Sequence, residues 1–210
     1  IPLNDLIDEY GEYIKDTFEE FDFMEPQLTA PDGNIYSLPR GVFTRPTLHN
    51  VTLIINQDWL DQVGMDVPVT TDDFREVLRA FRDNDLNGNG DPNDEIPFTF
   101  LYDDNNNYGI YPMFGAFGQV DYANHLIVQD GEAIFTAATE PWKEGVKYLH
   151  SLYDEGLIDP EAFTMRQPEF RGKASATDNV IGAYMGFSTG ATFSTEERMV
   201  QYTWVPGGLI

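Results

Sequence analysis

Residues 51–64 read "VTLIINQDWLDQVG", and this stretch predicts a strand that runs directly into a helix. The apolar run ahead of Asn56 is typical of a buried strand. Asn56 can cap the helix that follows, and Gly64 can end it in the left-handed conformation that glycine tolerates. A strand joined so closely to a helix is typical of an α/β fold.

The segments that follow continue the alternation. Residues 70–73, "TTDD", supply capping residues for a helix that carries Phe74, Val77, Leu78 and Phe81 on one face. Residues 96–102, "IPFTFLY", predict another strand. Residues 126–136, "LIVQDGEAIFT", predict a β-hairpin, because Asp130-Gly131 suits a type I′ turn.

Further elements are expected towards both ends of the chain. Helical spacing of apolar residues predicts one helix over about residues 4–20. A second helix begins at Pro141 and ends at Gly156, with an aligned apolar stripe of Trp142, Val146, Leu149 and Tyr153. Residues 180–187 predict a strand, and Ser194 predicts a capping box. Because strands alternate with helices without a repeat or linker, the sequence predicts one α/β domain.

The polar run "DLNGNGDPNDE", residues 85–95, resembles a cation-binding loop. Counted as an EF-hand, it places Asp85, Asn87 and Asn89 at positions 1, 3 and 5, Gly90 at the sharp turn and the Asp91 carbonyl at position 7. The acids that close the loop, Asp94 and Glu95, come earlier than position 12, where Ile96 stands. We expect a structural calcium site; the alternative is an Asn/Gly turn with solvated acids.

Composition excludes several classes of function. The chain has 36 acidic and 12 basic side chains among its 210 residues, a formal net charge of −24. Such a surface repels phosphate backbones and anionic lipids, so nucleic acid and membrane surfaces are not expected partners. There is no cysteine, which excludes thiol catalysis, thiolate metal sites and disulfides. No apolar run is long enough to cross a bilayer.

Motifs for catalysis fail on their context. Residues 186–190, "GFSTG", match a nucleophile elbow, but that fold places its histidine after the serine. The histidines here are His49, His125 and His150, all ahead of Ser188 and too scattered for a zinc site. A glycine-rich turn from strand to helix beside a ligand cleft explains the motif better, so the chain is not expected to be an enzyme.

Several phrases together resemble one family. They are "DGNIYSLP" at 32–39, the run from Leu53 to Asp85, "NGNGDPNDEIP" at 87–97 and the run from Trp142 to Phe163. They resemble extracellular solute-binding protein family 1, the sugar-binding lipoproteins of ABC importers, and are similar to alginate-oligosaccharide binders. The resemblance covers nearly the whole chain. It implies a non-catalytic receptor that binds an oligosaccharide and presents it to a membrane permease.

The resemblance also implies a fold and a metal. The expected fold is a periplasmic-binding-protein type II-like α/β lobe, with a mixed sheet flanked by helices. The expected calcium ligands are Asp85, Asn87, Asn89, the Asp91 carbonyl, Asp94 and Glu95, with Asn93 as an alternative to Asp94. Residues 1–35 would be a flanking helical segment of a first lobe, and residues 36–210 the second lobe with its hinge crossings. The chain is thus expected to be a fragment, monomeric, extracellular or periplasmic, and lipid-anchored in full length.

Sugar-binding residues are expected near the crossings and at strand-to-helix turns. Aromatic faces pack against sugar C–H groups, and polar groups bind hydroxyls. The candidates are Arg40, Phe43, Tyr111, Phe114, Phe117, Tyr184, Phe187, Ser188 and Trp204. Two other functions remain open: a calcium-stabilised extracellular carbohydrate-active enzyme domain, and a calcium-dependent adhesion module.

Overall fold

The structure, a computed structural model, describes residues 1–38, 51–91, 93–102, 108–206 and 208–210. The chain divides into two compact units, Ile1–Leu48 and His49–Ile210. The division after residue 35 that the resemblance implies stays a prediction. Within the described ranges, no helix is long and apolar enough to cross a membrane.

The first unit contains the helices α1 (Asn4–Tyr10), α2 (Glu12–Glu20) and α3 (Met24–Leu28). The prediction of one continuous helix over residues 4–20 was wrong, because the chain breaks at Gly11. A Cβ built on Gly11 would lie 2.6 Å from the carbonyl oxygen of Ile7. Only glycine permits so close a turn between the two helices. A bridge between Thr29 and Ile35 closes the unit after α3.

The second unit alternates strands and helices, as the sequence predicts. In chain order it contains β1 (Thr52–Asn56), α4 (Gln57–Val63), α5 (Thr71–Arg82), β2 (Ile96–Thr99), the 3₁₀ helix η1 (Tyr111–Phe117), β3 (Leu126–Gln129), β4 (Glu132–Phe135), the 3₁₀ helix η2 (Thr136–Ala138), α6 (Glu140–Asp154), α7 (Gln167–Ala174), β5 (Ile181–Gly186), α8 (Thr189–Thr192), α9 (Glu196–Met199) and β6 (Tyr202–Trp204).

A four-stranded mixed sheet with the order β2-β5-β1-β6 forms the centre of this unit. Strand β5 runs parallel to β2 and antiparallel to β1, and β1 runs antiparallel to β6. Both faces of the sheet are covered: Leu53 and Ile55 face one apolar cluster, and Ile54 faces the other. Burial on both faces explains why β1 is a continuous apolar run. The prediction of an α/β fold with a mixed sheet flanked by helices is confirmed.

The helix α5 packs on the sheet through the face that its sequence predicts. Phe74 and Phe81 are fully buried, and the ring of Phe81 meets that of Trp59 edge-on at a centroid distance of 5.3 Å. Trp59 is therefore a core residue. Gly182 of β5 lies beneath them, because a Cβ there would come within 2.4 Å of the Phe81 ring. Aromatic packing thus holds α4 and α5 against each other and against β5.

Most of the predicted helix ends and turns are confirmed. The Asn56 side chain accepts a hydrogen bond from the backbone N–H of Trp59, and Thr70 caps α5 in a capping box. The hairpin turns through Asp130 and Gly131, which both have positive φ. The capping residue of α9 was predicted wrongly: Thr195 caps it, rather than Ser194.

The buried face of α6 differs from the predicted stripe. Gly145, Tyr148 and Leu152 are buried, whereas Val146 and Tyr153 are 37% and 44% exposed. The reason is Gly145, where a Cβ would lie 2.6 Å from the Phe114 ring. A glycine carries no hydrophobic signal, yet it lets η1 approach the helix on that side, and the helix therefore buries a different face.

Candidate functional site

The acidic loop between α5 and β2 coils around the carboxylate of Asp85. The backbone N–H groups of Gly88 and Gly90 donate to the two carboxylate oxygens at 2.8 and 2.9 Å. Both glycines have positive φ, 73° and 91°, which other residues rarely adopt. The first position of the EF-hand count is therefore tied to the sixth, where such a loop must turn sharply.

Asn87, Asn89 and Asp94 come together inside this coil. The Asn87 and Asn89 side-chain amides donate to the Asp94 carboxylate at 3.2 and 2.7 Å. Their amide oxygens accept hydrogen bonds from the backbone N–H groups of Asn89 and Asp91. An amide oxygen has a second lone pair, so each still has capacity to bind a cation. Side chains from both ends of the loop thus converge.

Glu95 closes the loop and has an unusual environment. It is only 8% exposed. Its Oε1 accepts from the backbone N–H of Leu86 at 2.9 Å, whereas its Oε2 is buried and without a hydrogen-bond partner among the described residues. Burial raises the pKa of the Glu95 carboxyl. A buried carboxylate oxygen without a partner is costly, and a cation is the species that would satisfy it.

Asn93 lies apart from this arrangement. It is exposed, and its backbone and side-chain N–H groups donate to the Asp91 carboxylate. Throughout the described ranges, no group of three or more His, Cys, Asp or Glu side chains gathers as a metal site. The loop combines few acids with amide and carbonyl oxygens, which is a donor set that suits calcium. Asp94, rather than Asn93, lies with Asn87 and Asn89, although the carboxylates of Asp85, Asp94 and Glu95 do not gather as one group among the described residues.

An apolar groove of about 490 Å³ forms a second candidate site. Thr52 pairs with Gly186, and Ile54 pairs with Trp204. The start of β1 and the ends of β5 and β6 therefore meet at the same end of the sheet. The groove lies there. Its walls come from residues 51–53, from Pro112, Met113, Gly115 and Ala116 of η1, from Met185, and from residues 204–206 and 208–210.

The predicted sugar-binding residues divide between this groove and the core. Trp204 lines the groove and is 46% exposed. Tyr111 and Phe114 are buried behind the groove wall, where Phe114 stacks on Trp142. Phe117 is half-buried and its ring contacts that of Tyr148. Of the aromatic residues predicted on η1, the structure places none in the groove.

The remaining candidates lie elsewhere. Tyr184 is fully buried in the core beneath Phe193, so its ring offers no face to a ligand. Phe187 is half-buried just beyond β5. The Ser188 hydroxyl accepts a hydrogen bond from the backbone N–H of Ala191 and caps α8. Arg40 and Phe43 lie outside the described residues.

Sequence reasoning missed the small residues that form the groove wall. Pro112, Gly115 and Ala116 line the groove. The neighbouring rings of Phe114 and Phe117 pack against α6 instead. The signal was the alternation of small and aromatic residues in "GIYPMFGAFG", residues 109–118. A short 3₁₀ helix has two faces, and the aromatic face is the one that becomes buried.

Two curated relatives align with most of this chain. The chain is 44% identical over 169 residues to the fructooligosaccharide ABC transporter substrate-binding protein FusA of Streptococcus pneumoniae, over 78% of this chain and 31% of FusA. It is 29% identical over 177 residues to the lipoprotein LipO of Bacillus subtilis, over 79% of this chain and 33% of LipO. The chain thus spans about a third of the length of these relatives. No protein-family model matches it.

Solved structures agree with the sequence comparison. S. pneumoniae FusA in complex with kestose superimposes with a TM-score of 0.79 at 38% identity, over 100% of this chain and 42% of that one. An extracellular solute-binding protein from Bifidobacterium longum subsp. infantis gives 0.78 at 25% identity, over 100% and 43%. The fold is therefore that of part of a solute-binding protein.

One neighbour bears on the acidic loop. An EF-hand mutant of FusA, in complex with fructo-nystose, gives a TM-score of 0.79 at 36% identity, over 100% of this chain and 42% of that one. The homologues of this chain are ABC-transporter substrate-binding proteins, and the predicted resemblance to them is confirmed.

Proposed function

We propose, since the homologues of this chain are ABC-transporter substrate-binding proteins, that it forms one lobe of the sugar-binding receptor of an ABC importer. Its ligand is a fructooligosaccharide, bound where the groove meets a second lobe. Closure of two lobes around a sugar hides it from water and presents a distinct shape to the permease. The full-length receptor is extracellular and held at the membrane by a lipid. The named relatives bind substrates, which favours a receptor over a carbohydrate-active enzyme.

The observation that carries this proposal is Trp204 in the groove. Trp204 is 46% exposed, lines the groove and ends the strand β6. A flat apolar ring at the edge of a cleft is suited to stack on the C–H face of a sugar ring. Phe187 and Ser188 follow the end of β5 outside the residues that line the groove, and a contact with a second sugar residue is proposed for them. The buried ring of Phe114 supports the η1 wall of the groove from the side of Trp142.

The three tryptophans make this testable in one experiment. The chain labelled with 5-fluorotryptophan is titrated with kestose and nystose while its ¹⁹F resonances are recorded. We expect the Trp204 resonance to shift and that of the buried Trp59 to stay fixed. Because one lobe supplies half of a cleft, the Kd should be on the order of 1 mM.

The controls are a second sugar and a second variant. Cellobiose, which contains no fructose, should leave all resonances in place at the same concentrations, and Trp204→Ala should abolish kestose binding when it is followed by saturation-transfer NMR on the sugar protons, a readout that does not depend on the tryptophan. A chain that shows no shift with kestose or nystose in the range of tens of millimolar does not bind fructooligosaccharide at this groove.

The acidic loop is proposed as a structural calcium site. Asp85, Asn87, Asn89, the Asp91 carbonyl, Asp94 and Glu95 would hold the ion, which joins the end of α5 to the start of β2. The unpartnered Oε2 of buried Glu95 supports this assignment, because it needs a positive partner. The contacts of Asn93, which turn to Asp91, favour Asp94 as the ligand.

Thermal unfolding in excess calcium and in excess chelator tests the loop. A ligand that binds only the folded state at 100 times its Kd adds about 2.7 kcal/mol to the free energy of unfolding. For a chain of this length, that raises the Tm by roughly 5–10 °C. Magnesium should give much less, because it needs a tighter octahedral site. Equal Tm values in calcium and chelator, with no metal found in the purified protein, would leave the loop as an ordinary turn.

A further inference from the structure

The buried carboxylate of Asp121 lies in the segment between η1 and β3. Its side chain is fully buried. It accepts hydrogen bonds from the indole N–H of Trp142 at 2.9 Å, from the hydroxyl of Thr136, and contacts Nδ1 of His125 at 3.0 Å. A buried carboxylate is costly unless it is fully bonded. Here its partners come from the loop itself, from η2 and from α6, so one group ties together three segments.

Trp142 carries this connection to the groove wall. Its indole lies parallel to the ring of Phe114, with an angle of 2° between the planes and 5.6 Å between the ring centres. Phe114 belongs to η1, and its neighbours Gly115 and Ala116 line the groove. The Trp142 indole therefore packs against the side of η1 that faces away from the groove and holds η1 in position.

The helix α6 and the 3₁₀ helix η1 are in close contact, with no space for one to move without the other. A Cβ on Gly145 would lie 2.6 Å from Phe114 and 3.2 Å from Phe117. Groups packed this closely transmit a displacement rather than take it up. A second bond, from the Thr139 hydroxyl to the Gln119 amide oxygen at 2.8 Å, anchors the same loop to the start of α6. When the indole moves, η1 must move with it.

We propose that Asp121 is a positioning residue of the ligand groove. It holds the Trp142 indole against Phe114, and this sets the distance between η1 and Trp204 on the other side of the groove. Asp121 contacts no sugar itself; it determines the width of the space that a sugar ring enters. The inference rests on the proposed function for its consequence in binding, but its structural part is testable without a sugar.

The variant Asp121→Asn breaks the arrangement with little change of volume. It replaces one acceptor oxygen with an amide NH2, so at least one of the contacts to Trp142, Thr136 and His125 loses its carboxylate acceptor and the indole is held less firmly. The matched control is Asp159→Asn. Asp159 is 3% exposed and accepts from Thr99 and Lys173, none of which lines the groove.

The ¹⁹F spectrum of the fluorotryptophan-labelled chain is the first readout. Asp121→Asn should shift both the Trp142 and the Trp204 resonances and leave Trp59 unchanged, whereas Asp159→Asn should leave Trp142 and Trp204 unchanged. A purely local role of Asp121 would move Trp142 alone, and that result would overturn the proposal. If Asp121→Asn does not fold, Trp142→Phe keeps the stack but removes the indole N–H, and it should shift Trp204 in the same way.

Titration with nystose is the second readout. Residues that act on a site without touching its ligand change affinity by about 2- to 30-fold. We expect Asp121→Asn to weaken nystose binding within that range, and Asp159→Asn to leave it unchanged. Unchanged affinity in Asp121→Asn, with binding by the unmodified chain intact, would refute the positioning role. If the unmodified chain binds no nystose, the proposed function fails, and the Trp204 resonance alone decides the claim about Asp121.

Discussion

The acidic loop and the apolar groove are built in opposite ways. The hydrogen bonds of the loop join residues within one run, Asp85 to Glu95, and two glycines with positive φ set its shape. The groove is assembled from segments that are far apart in the chain, namely residues 51–53, 112–113, 115–116, 185, 204–206 and 208–210. The first site is specified by spacing along the sequence, and the second by the packing of the whole unit.

This difference separates the effects that mutations should have. A change in the loop should alter the response to calcium and leave the groove as it is. A change in the wall of the groove should act through helix packing and leave the response to calcium intact. Four substitutions test this separation.

Asp85→Ala should have the largest effect. It removes the carboxylate that the Gly88 and Gly90 amides contact, and with it a ligand of the proposed calcium ion. The stabilisation by excess calcium, about 2.7 kcal/mol at 100 times the Kd, should be lost. Thermal melts in calcium and chelator measure it. A calcium shift that survives in Asp85→Ala would break the comparison, because the loop would then not depend on its first position.

Gly145→Ala should come next, and it acts on the groove wall. The added methyl group would lie 2.6 Å from the Phe114 ring, and such overpacking costs about 1–3 kcal/mol of stability. Gly172→Ala in α7 is the matched control, since nothing lies within 4 Å of its Cβ position. That control should stabilise the chain by about 0.5–1 kcal/mol. Chemical denaturation measures the free energy of unfolding of both variants. Equal values would show that η1 moves to make room for the added methyl group.

Trp204→Ala should change stability little, even though it is proposed to remove sugar binding. The ring is 46% exposed at the end of an edge strand. Substitutions at sites without a buried role usually stay within about 0.5 kcal/mol. A large loss of stability would show that the indole is a packing element and would weaken its assignment to the ligand.

Asn93→Ala should have the smallest effect of the four. Its side chain is exposed, and its side-chain amide donates a hydrogen bond to Asp91 rather than to the converging side chains. The Tm in calcium should match that of the unmodified chain, in contrast to Asp85→Ala. A loss of the calcium response in Asn93→Ala would assign this residue, in place of Asp94, to the ion.

The local features of the fold could be predicted from sequence because short-range chemistry determines them. The caps at Asn56 and Thr70 and the turn at Asp130-Gly131 depend on contacts within a few residues. The buried face of α6 could not be predicted in this way. It depends on Gly145, which carries no apolar signal and matters only because Phe114 lies against it. The break at Gly11 escaped prediction because the helical period continues across it.

The same distinction applies to the two candidate sites. The spacing of oxygen donors identified the loop, although the unpartnered oxygen of Glu95 needed the structure. For the groove, Trp204 is the one predicted residue that lines it within the described part of the chain. Aromatic residues were chosen for their affinity for sugars, but the same apolar character buries Tyr111, Phe114 and Tyr184 in the core. A pattern of residue types alone does not separate these two outcomes.

The position of β6 has a mechanical consequence. Among the described strands it is at the edge of the sheet and pairs with β1 alone, and its last residue, Trp204, lies near the start of β1 at Thr52. A pulling force applied to the chain at these two points would break the hydrogen bonds between β1 and β6 one after another, instead of loading all of them at once. The pairing of β1 with β5 would stay intact meanwhile. Under such a force the β1–β6 pair is therefore expected to separate before the pairs behind it in the sheet.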